Sequence, residues 1–241
     1  MEAPPLVMTC QSCQRDKGDF YRCVDCFFQP LYCKACCLIE HRRHPFHNIQ
    51  KWTGAYFSPT TLHAIGYILH VGHGGNICPA ATWDDIPMNA ADMDIDYKDV
   101  PDSDEDGRDD TEMVIVDCGG VYKHKIRWCA CRGRPAEHLL LFSMGLFSAT
   151  LAQPKTAFSF RLLNYFHIDA MECRTSASSF FSKLRRLTNE CFPDKVPVSA
   201  PILIAGIASV NDGCQGPIYR PHACVSAMAA FASSQVVWFR P

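Results

Sequence analysis

The sequence lacks the features by which several functional classes are recognised. Met1 is followed by Glu2, Pro4 and Pro5 and not by a charged and then apolar signal segment, so we expect a reducing compartment. Apolar runs such as 202–210 are too short and too interrupted to span a bilayer, which argues against a membrane partner. There is no glycine-rich phosphate loop and no recognisable pairing of a nucleophile with a base, so the sequence predicts no enzyme active site and no small-molecule substrate. A net charge of -2 by itself predicts little about partners.

Cysteine, in contrast, is abundant, and much of it stands at metal-ligand spacing. Seven of the fifteen cysteines lie within residues 10–47 together with three histidines. Six of these cysteines form CxxC pairs, and the histidines follow them: Cys10 and Cys13, Cys23 and Cys26, Cys33 and Cys36, then His41, His44 and His47. Each pair can wrap a tight knuckle whose two thiolates reach one metal, and four such ligands leave tetrahedral zinc no open position for water. In a reducing compartment so many cysteines favour metal over disulfides, so we predict two structural zinc ions in residues 1–55.

Spacing leaves two ligand pairings open. In a sequential pairing the first two CxxC pairs hold one zinc, and the third pair with two histidines holds the other. In a cross-braced pairing the first and third pairs share one zinc, and the second pair with two histidines shares the other. The cluster resembles the cross-braced fingers of the B-box and ZZ type, and this resemblance favours the second pairing. We choose His41 and His47 as its imidazole ligands, with His44 as the substitute, and interpret Cys37 as a buried thiol.

Aromatic residues of this segment are predicted to form the small core that zinc makes sufficient. They are Phe20, Tyr21, Phe27, Phe28, Tyr32 and Phe46. The segment has no basic excess once the zinc thiolates are counted, so we expect protein contact here and not phosphate contact.

The distribution of charge divides the rest of the chain. Residues 84–112 hold thirteen of the twenty-five acids, and such a segment cannot bury enough apolar surface to offset its ordering entropy, so we predict a disordered acidic linker. Residues 56–83 before it are expected to pack on the finger, and the histidines and Cys78 in its glycine-rich turn are interpreted as turn residues and not as ligands. Residues 113–195 are predicted to form a mixed domain of strands and helices, and residues 196–241 an atypical, unstructured tail.

Residues 113–195 are basic, with twelve Lys and Arg against six Asp and Glu. Residues 121–129 alternate as a strand does, with Tyr122, His124, Ile126 and Trp128 on one face and Lys123, Lys125 and Arg127 on the other. The three cations are suited to meeting phosphates, and a solvated face is the simpler interpretation. Helices are predicted over about 136–147, 156–168 and 176–191, the last with Thr175 or Ser176 as its N-cap.

A CxC pair, Cys129 and Cys131, closes the predicted strand. Two thiolates separated by one residue bind a further zinc only if two more ligands arrive from elsewhere. The candidates considered for that role are Cys118, His124, His138 and Cys173. The pair alone leaves this additional site open.

Several segments together closely resemble the CxC-type cysteine-cluster domain found ahead of the catalytic region in fungal Kyakuja-Dileera-Zisupton (KDZ) transposases. They are HRRHPFHNIQKW at 41–52, ILHVGHGGNICP at 68–79, RWCAC at 127–131 and the long stretch 145–197. The resemblance implies zinc chelation, a place in DNA transposition and a nuclear location. Family members continue into an RNase H-like catalytic domain, so we expect this chain to be a truncated amino-terminal region without catalytic activity.

The two resemblances together imply small α+β zinc-stabilised modules, with a cross-braced B-box/ZZ-like zinc finger followed by a mixed strand-helix domain. We expect weak DNA binding, or contact with a protein partner. The alternative is a B-box/ZZ-like adaptor of the ubiquitin or chromatin system that uses the finger alone.

Overall fold

The computed structural model describes residues 8–80, 111–151 and 153–196, which fall into two compact units. Of these residues, the first unit contains 8–80, 111–112 and 123–135, and the second contains 113–122, 136–151 and 153–196. Most of the predicted acidic linker, and the tail beyond residue 196, lie outside the described residues, and these boundaries stay predictions. Thr111 and Glu112, which we assigned to the linker, open a strand. In the described ranges, no helix has the length and apolar character needed to cross a membrane.

The first unit is built on a four-stranded antiparallel sheet. Its strands are β1 (Phe20–Cys23), β2 (Leu31–Cys33), β3 (Ile49–Trp52) and β4 (Phe57–Thr60), in the order β2-β1-β3-β4. Helix α1 (Lys34–Glu40) follows β2 without a loop, and a single 3-10 turn (His41–Arg43) follows the helix. Because β1 and β2 are antiparallel neighbours, with Phe20 opposite Cys33, the end of one lies beside the start of the other. This arrangement brings CxxC pairs that are distant in sequence to the same ends of the sheet.

A second pair of strands completes the first unit. Strand β5 (Ile68–Val71) runs parallel to residues 125–128 of β7, which spans Gly120–Trp128, while β6 (Thr111–Asp117) precedes β7 in the chain. Two further 3-10 turns flank β5, at His63–Ile65 and His73–Gly75. The predicted alternation in β7 is confirmed, since His124, Ile126 and Trp128 are buried and Lys123 and Lys125 are exposed.

The predicted aromatic core of the finger is correct in part. Phe20 and Tyr21 of β1 are buried, and Phe20 packs with Leu31 and Phe57. Phe27 and Phe28, however, are 89% and 93% exposed, so their assignment to the core is wrong. They follow Cys26 in the turn between β1 and β2, where Phe28 has a φ of 63°, a left-handed conformation that is uncommon for a bulky side chain.

The second unit combines three strands with three helices. Residues 114–116 of β6 pair in parallel with β9 (Thr156–Ser159), which pairs antiparallel with β8 (Leu146–Ser148). The helices are α2 (Glu137–Ser143), α3 (Phe160–Cys173) and α4 (Ala177–Thr188), and a 3-10 turn lies at Pro193–Lys195. The core is formed by buried side chains of β6, the start of β7, β9, α3 and α4: Val116, Val121, Phe158, Leu162, Leu163, Phe166, Phe180, Phe181 and Leu184.

The helix predictions for this unit need two corrections. The segment 136–147 is helical only to Ser143, because the chain turns at Gly145 with a φ of 78° and enters β8. The segment 156–168 begins as β9, and its helix starts at Phe160, where the hydroxyl of Ser159 accepts a hydrogen bond from the Leu162 backbone N–H at 3.1 Å. The N-cap of α4 is confirmed as Ser176, whose hydroxyl accepts from the Ser179 N–H at 3.2 Å.

His124 of β7 is a buried polar residue of the first unit. Its ring packs beside Phe46 and Tyr67, with ring centroids 6.1 Å and 5.4 Å away. Burial lowers its pKa to about 4, and positive charge on His63 acts in the same direction, while the Pro45 carbonyl partly opposes the shift. The imidazole is therefore neutral in the folded protein at neutral pH.

This pKa predicts a loss of stability in mild acid. The unfolded chain protonates its histidine below about pH 6.5, whereas the folded protein resists protonation until about pH 4, so the stabilisation is complete above pH 6.5 and falls as the pH drops towards 4. Between pH 7 and pH 5, we expect the wild-type protein to lose about 2 kcal/mol more than His124→Leu. Urea titrations at both pH values measure the difference, and any acid release of metal common to both proteins cancels. The half-exposed His138 supplies the control His138→Leu, and equal pH dependence of wild type and His124→Leu would contradict the prediction.

Candidate metal centres

Two CxxC pairs form the first cluster, which joins the loop before β1 to the start of α1. Cys10, Cys13, Cys33 and Cys36 place their sulfur atoms within 4.8 Å of one another. The first knuckle is closed by the Gln14 N–H, which donates to the Cys10 carbonyl at 2.8 Å, and the Gln11 N–H attaches it to β2 at the Leu31 carbonyl. The Sγ atoms of Cys13 and Cys33 are 3.7 Å apart. Three of the four cysteines are buried, so the ligand set is largely shielded from solvent.

The second cluster lies at the other end of β1 and combines two cysteines with two histidines. Cys23, Cys26, His41 and His47 place one donor atom each within 4.8 Å of one another. The Nδ1 atom of His47 is 3.5 Å from the Cys23 sulfur and 3.3 Å from the Cys26 sulfur. The Cys26 N–H donates to the Cys23 sulfur at 3.3 Å, a hydrogen bond that stabilises thiolate in a CxxC knuckle.

The backbone sets the tautomer of His41. Its Nδ1 lies 2.8 Å from the Cys37 carbonyl oxygen, which can only accept, so Nδ1 carries the proton. The other nitrogen, Nε2, lies 3.7 Å from the Cys26 sulfur and has its lone pair available for a metal. Burial lowers the pKa of His41, which favours the neutral ring that a metal requires. Cys37 is fully buried and contributes through its carbonyl, whereas His44 stacks on His47 at 4.8 Å and is not among the gathered donors.

The separations between donor atoms match those around tetrahedral zinc. With Zn–S near 2.3 Å and Zn–N near 2.0 Å, two sulfurs on one ion lie about 3.8 Å apart and a sulfur and a nitrogen about 3.6 Å apart. The sulfur–sulfur distance of 3.7 Å and the sulfur–nitrogen distances of 3.3–3.7 Å in the two clusters are close to these values. The structure therefore gathers the eight selected residues in the cross-braced pairing, and the sets could hold zinc; that they bind it stays a prediction.

A third cluster contains the CxC pair. His73, Cys78, Cys129 and Cys131 place their donor atoms within 4.8 Å of one another. We interpreted His73 and Cys78 as turn residues and not as ligands, whereas the structure places their donor atoms beside those of the CxC pair. The side chains considered as partners of the pair, Cys118, His124, His138 and Cys173, are not among the donors gathered there. The sequence does contain a signal for this grouping. The segment GHGGNICP follows β5, and the CxC pair follows β7; since the two strands are parallel neighbours, both segments leave the sheet at the same end.

No cysteine in the part of the chain that the structure describes forms a disulfide. In each of the three clusters, four donor atoms from protein side chains lie within 4.8 Å of one another.

Comparison with known proteins identifies the region around the CxC pair. Residues 100–191 match the family model described as a CxC2-like cysteine cluster associated with KDZ transposases. No curated protein and no solved structure gives a significant match. The matched range includes Cys129 and Cys131, whereas the finger and the segment with His73 and Cys78 precede it. The family resemblance inferred from the sequence is thus confirmed for residues 100–191, which carry a CxC2-like cysteine cluster of the kind associated with KDZ transposases.

Proposed function

We propose that this chain is a zinc-binding, non-catalytic region of a KDZ-type transposase that acts in the nucleus by binding DNA or protein during transposition. The observation that carries the proposal is the cross-braced pair of four-donor clusters with zinc-like separations, in a chain whose residues 100–191 match a transposase-associated cysteine cluster. In each finger cluster four protein donors fill a tetrahedral ion, so the metal has no open position for a substrate or water. Its role is to hold the fold, and the activity is recognition.

The outward face of β7 is the surface best suited to DNA. Lys123 and Lys125 are exposed there, and Arg127 lies on the same face. Glu112 forms an ion pair with Lys123 at 2.5 Å, which removes part of the positive charge. What remains suits weak contact with phosphates, which positions a protein on a duplex without reading its sequence.

The salt dependence of DNA binding tests this face. Each neutralised phosphate releases counterions, and the logarithmic slope of affinity against salt is about -0.9 per contact on duplex DNA. Changing Lys123, Lys125 and Arg127 together to Gln should reduce the slope by roughly 2 to 3 units and weaken binding equally on unrelated sequences.

The matched control removes the same charge from the finger. Lys17→Gln, Lys34→Gln and Arg43→Gln together change the net charge equally but are not part of the β7 face, so the slope should change by less than about 1 unit. Fluorescence anisotropy with a labelled duplex over a range of salt concentrations gives both slopes. If the two triple variants behave alike, or if no binding is detected at low salt, the β7 face does not contact DNA.

Contact with a protein partner is the second candidate function, and a specific observation favours it. Phe27 and Phe28 are adjacent, almost fully exposed, and meet edge to face at 5.8 Å on the knuckle after Cys26. Exposed aromatic side chains of this kind are enriched at protein interfaces. Failure of the DNA experiment would make the adaptor role of the finger the better account.

A further inference from the structure

The third cluster is assembled by two strands that end together. In the parallel pair of β5 and β7, Val71 lies opposite Trp128, and the Cys129 N–H donates to the Val71 carbonyl at 3.0 Å. The segments after β5 and β7 therefore leave the sheet at the same end. The turn after β5 carries His73, and the CxC pair follows β7 directly. Gly72 and Gly74 adopt φ values of 112° and 64°, which let this turn fold back over the strand ends.

The four donor atoms have the separations of one tetrahedral ion. Nε2 of His73 lies 3.1 Å from the Cys129 sulfur and 3.5 Å from the Cys131 sulfur. The Cys78 sulfur lies 3.9 Å from that of Cys129 and 3.6 Å from that of Cys131. Sulfurs joined in a disulfide would be about 2.05 Å apart, so this is a ligand arrangement and not a bond waiting to be closed.

Backbone N–H groups support thiolate at this position. The Ala130 N–H donates to the Cys78 sulfur at 3.4 Å, and the Cys131 N–H donates to the Cys129 sulfur at 3.4 Å. Such N–H···S hydrogen bonds spread the charge that three thiolates bring to one site. The Cys26 N–H makes the same kind of hydrogen bond to the Cys23 sulfur in the finger.

We infer that His73, Cys78, Cys129 and Cys131 form a third zinc site, separate from the two in the finger. Three thiolates and one imidazole at tetrahedral separations are a donor set that selects zinc over magnesium or calcium, and four protein ligands make the site structural. Half of its ligands precede the range that matches the cysteine-cluster family, so the CxC pair depends on the upstream segment 68–80 to bind metal.

A metal ion at this site would crosslink two segments of the first unit that are distant in sequence. Cys78 and Cys129 are fifty-one residues apart in sequence, and a metal that joins them closes a long loop, which is the case in which a crosslink reduces unfolded-chain entropy most. The site is also more open than the finger clusters, because His73 is exposed and Cys131 is half-exposed. Zinc should therefore leave this site before it leaves the finger.

Metal content of the full chain tests the inference. The wild-type protein should contain about three zinc ions, and Cys78→Ser and His73→Ala should each contain about two, with the finger ions retained. His70→Ala on β5 and Cys118→Ser are the controls, since neither side chain belongs to the cluster, and both should keep the wild-type content. Two zinc ions in the wild type, or an unchanged content in both ligand variants, would overturn the third site.

Thiol labelling gives a second reading that does not depend on the variants folding. In the zinc-saturated wild type, Cys131 should react with iodoacetamide at least about tenfold more slowly than the exposed Cys173 and Cys191, because a zinc-bound thiolate is protected. Limited chelation should release Cys78, Cys129 and Cys131 for labelling before the finger cysteines. Equal rates at Cys131 and Cys173 in saturating zinc would contradict the inference.

The two proposals can fail separately. Cys33→Ser should lower the zinc content of the finger and leave Cys131 protected from labelling. Cys78→Ser should remove that protection, so labelling of Cys131 reports on the third site and not on the finger. If Cys131 is protected in the wild type but the finger cysteines are reactive, the proposed zinc sites of the finger are contradicted and the third site is supported.

Discussion

Removing zinc from the 241-residue chain is expected to unfold the finger. Its apolar core is small, with Phe20, Leu31 and Phe57 at its centre, and a core of this size does not offset the conformational entropy of the segment. Structural zinc supplies roughly 10–16 kcal/mol of apparent free energy in small fingers, which is more than the usual stability of a whole domain. Addition of a strong chelator should abolish the dispersed amide signals of residues 8–60 in a heteronuclear NMR spectrum.

Single substitutions should separate the zinc ligands from their buried neighbours. Cys33→Ser removes a thiolate of the first cluster and should unfold the finger or lower its zinc content, whereas Cys37→Ser changes a fully buried thiol outside the donor sets. We expect Cys37→Ser to keep its metal and lose about 1–3 kcal/mol, the cost of placing a hydroxyl where the thiol was buried. A folded, metal-free finger, or equal effects of the two substitutions, would contradict the assignment.

Truncation of Phe180 is expected to destabilise the second unit without any loss of metal. Phe180 of α4 is fully buried, and its ring meets that of Phe166 edge to face at 4.9 Å across the helix pair. Removing it deletes these contacts and leaves a cavity, for which the typical cost of Phe→Ala is about 3–5 kcal/mol. Chemical denaturation of zinc-saturated protein, followed by near-ultraviolet circular dichroism, measures this loss.

The same helix offers the control. Leu187 is 58% exposed, so Leu187→Ala should change stability by no more than about 0.5 kcal/mol. Both variants should retain the zinc content of the wild type, because neither residue lies in a donor cluster. Loss of zinc in Phe180→Ala would show that this core and the metal centres do not stabilise the protein independently. Equal losses of unfolding free energy in the two variants would contradict the burial of Phe180 as the source of its effect.

The spacing of cysteine and histidine was enough to identify the candidate ligands in the finger, because a CxxC knuckle is a local structure that sequence neighbours define. The alternation of β7 and the Ser176 cap were predictable for the same reason, since each depends on residues within a few positions. The exposed Phe27 and Phe28 were not, because hydrophobicity alone does not reveal that these side chains face solvent in the turn after Cys26.

Which donors share a centre was decided by tertiary structure. Residues 10–47 are compatible with sequential and cross-braced pairing, and the antiparallel neighbours β1 and β2 bring together Cys10, Cys13, Cys33 and Cys36. The third cluster depended still more on the fold, since parallel pairing of β5 with β7 places His73 and Cys78 beside a CxC pair some fifty residues later. Local sequence specifies which side chains can bind a metal, but the pairing of distant strands decides which of them meet, because register and strand direction are set by burial across the whole unit.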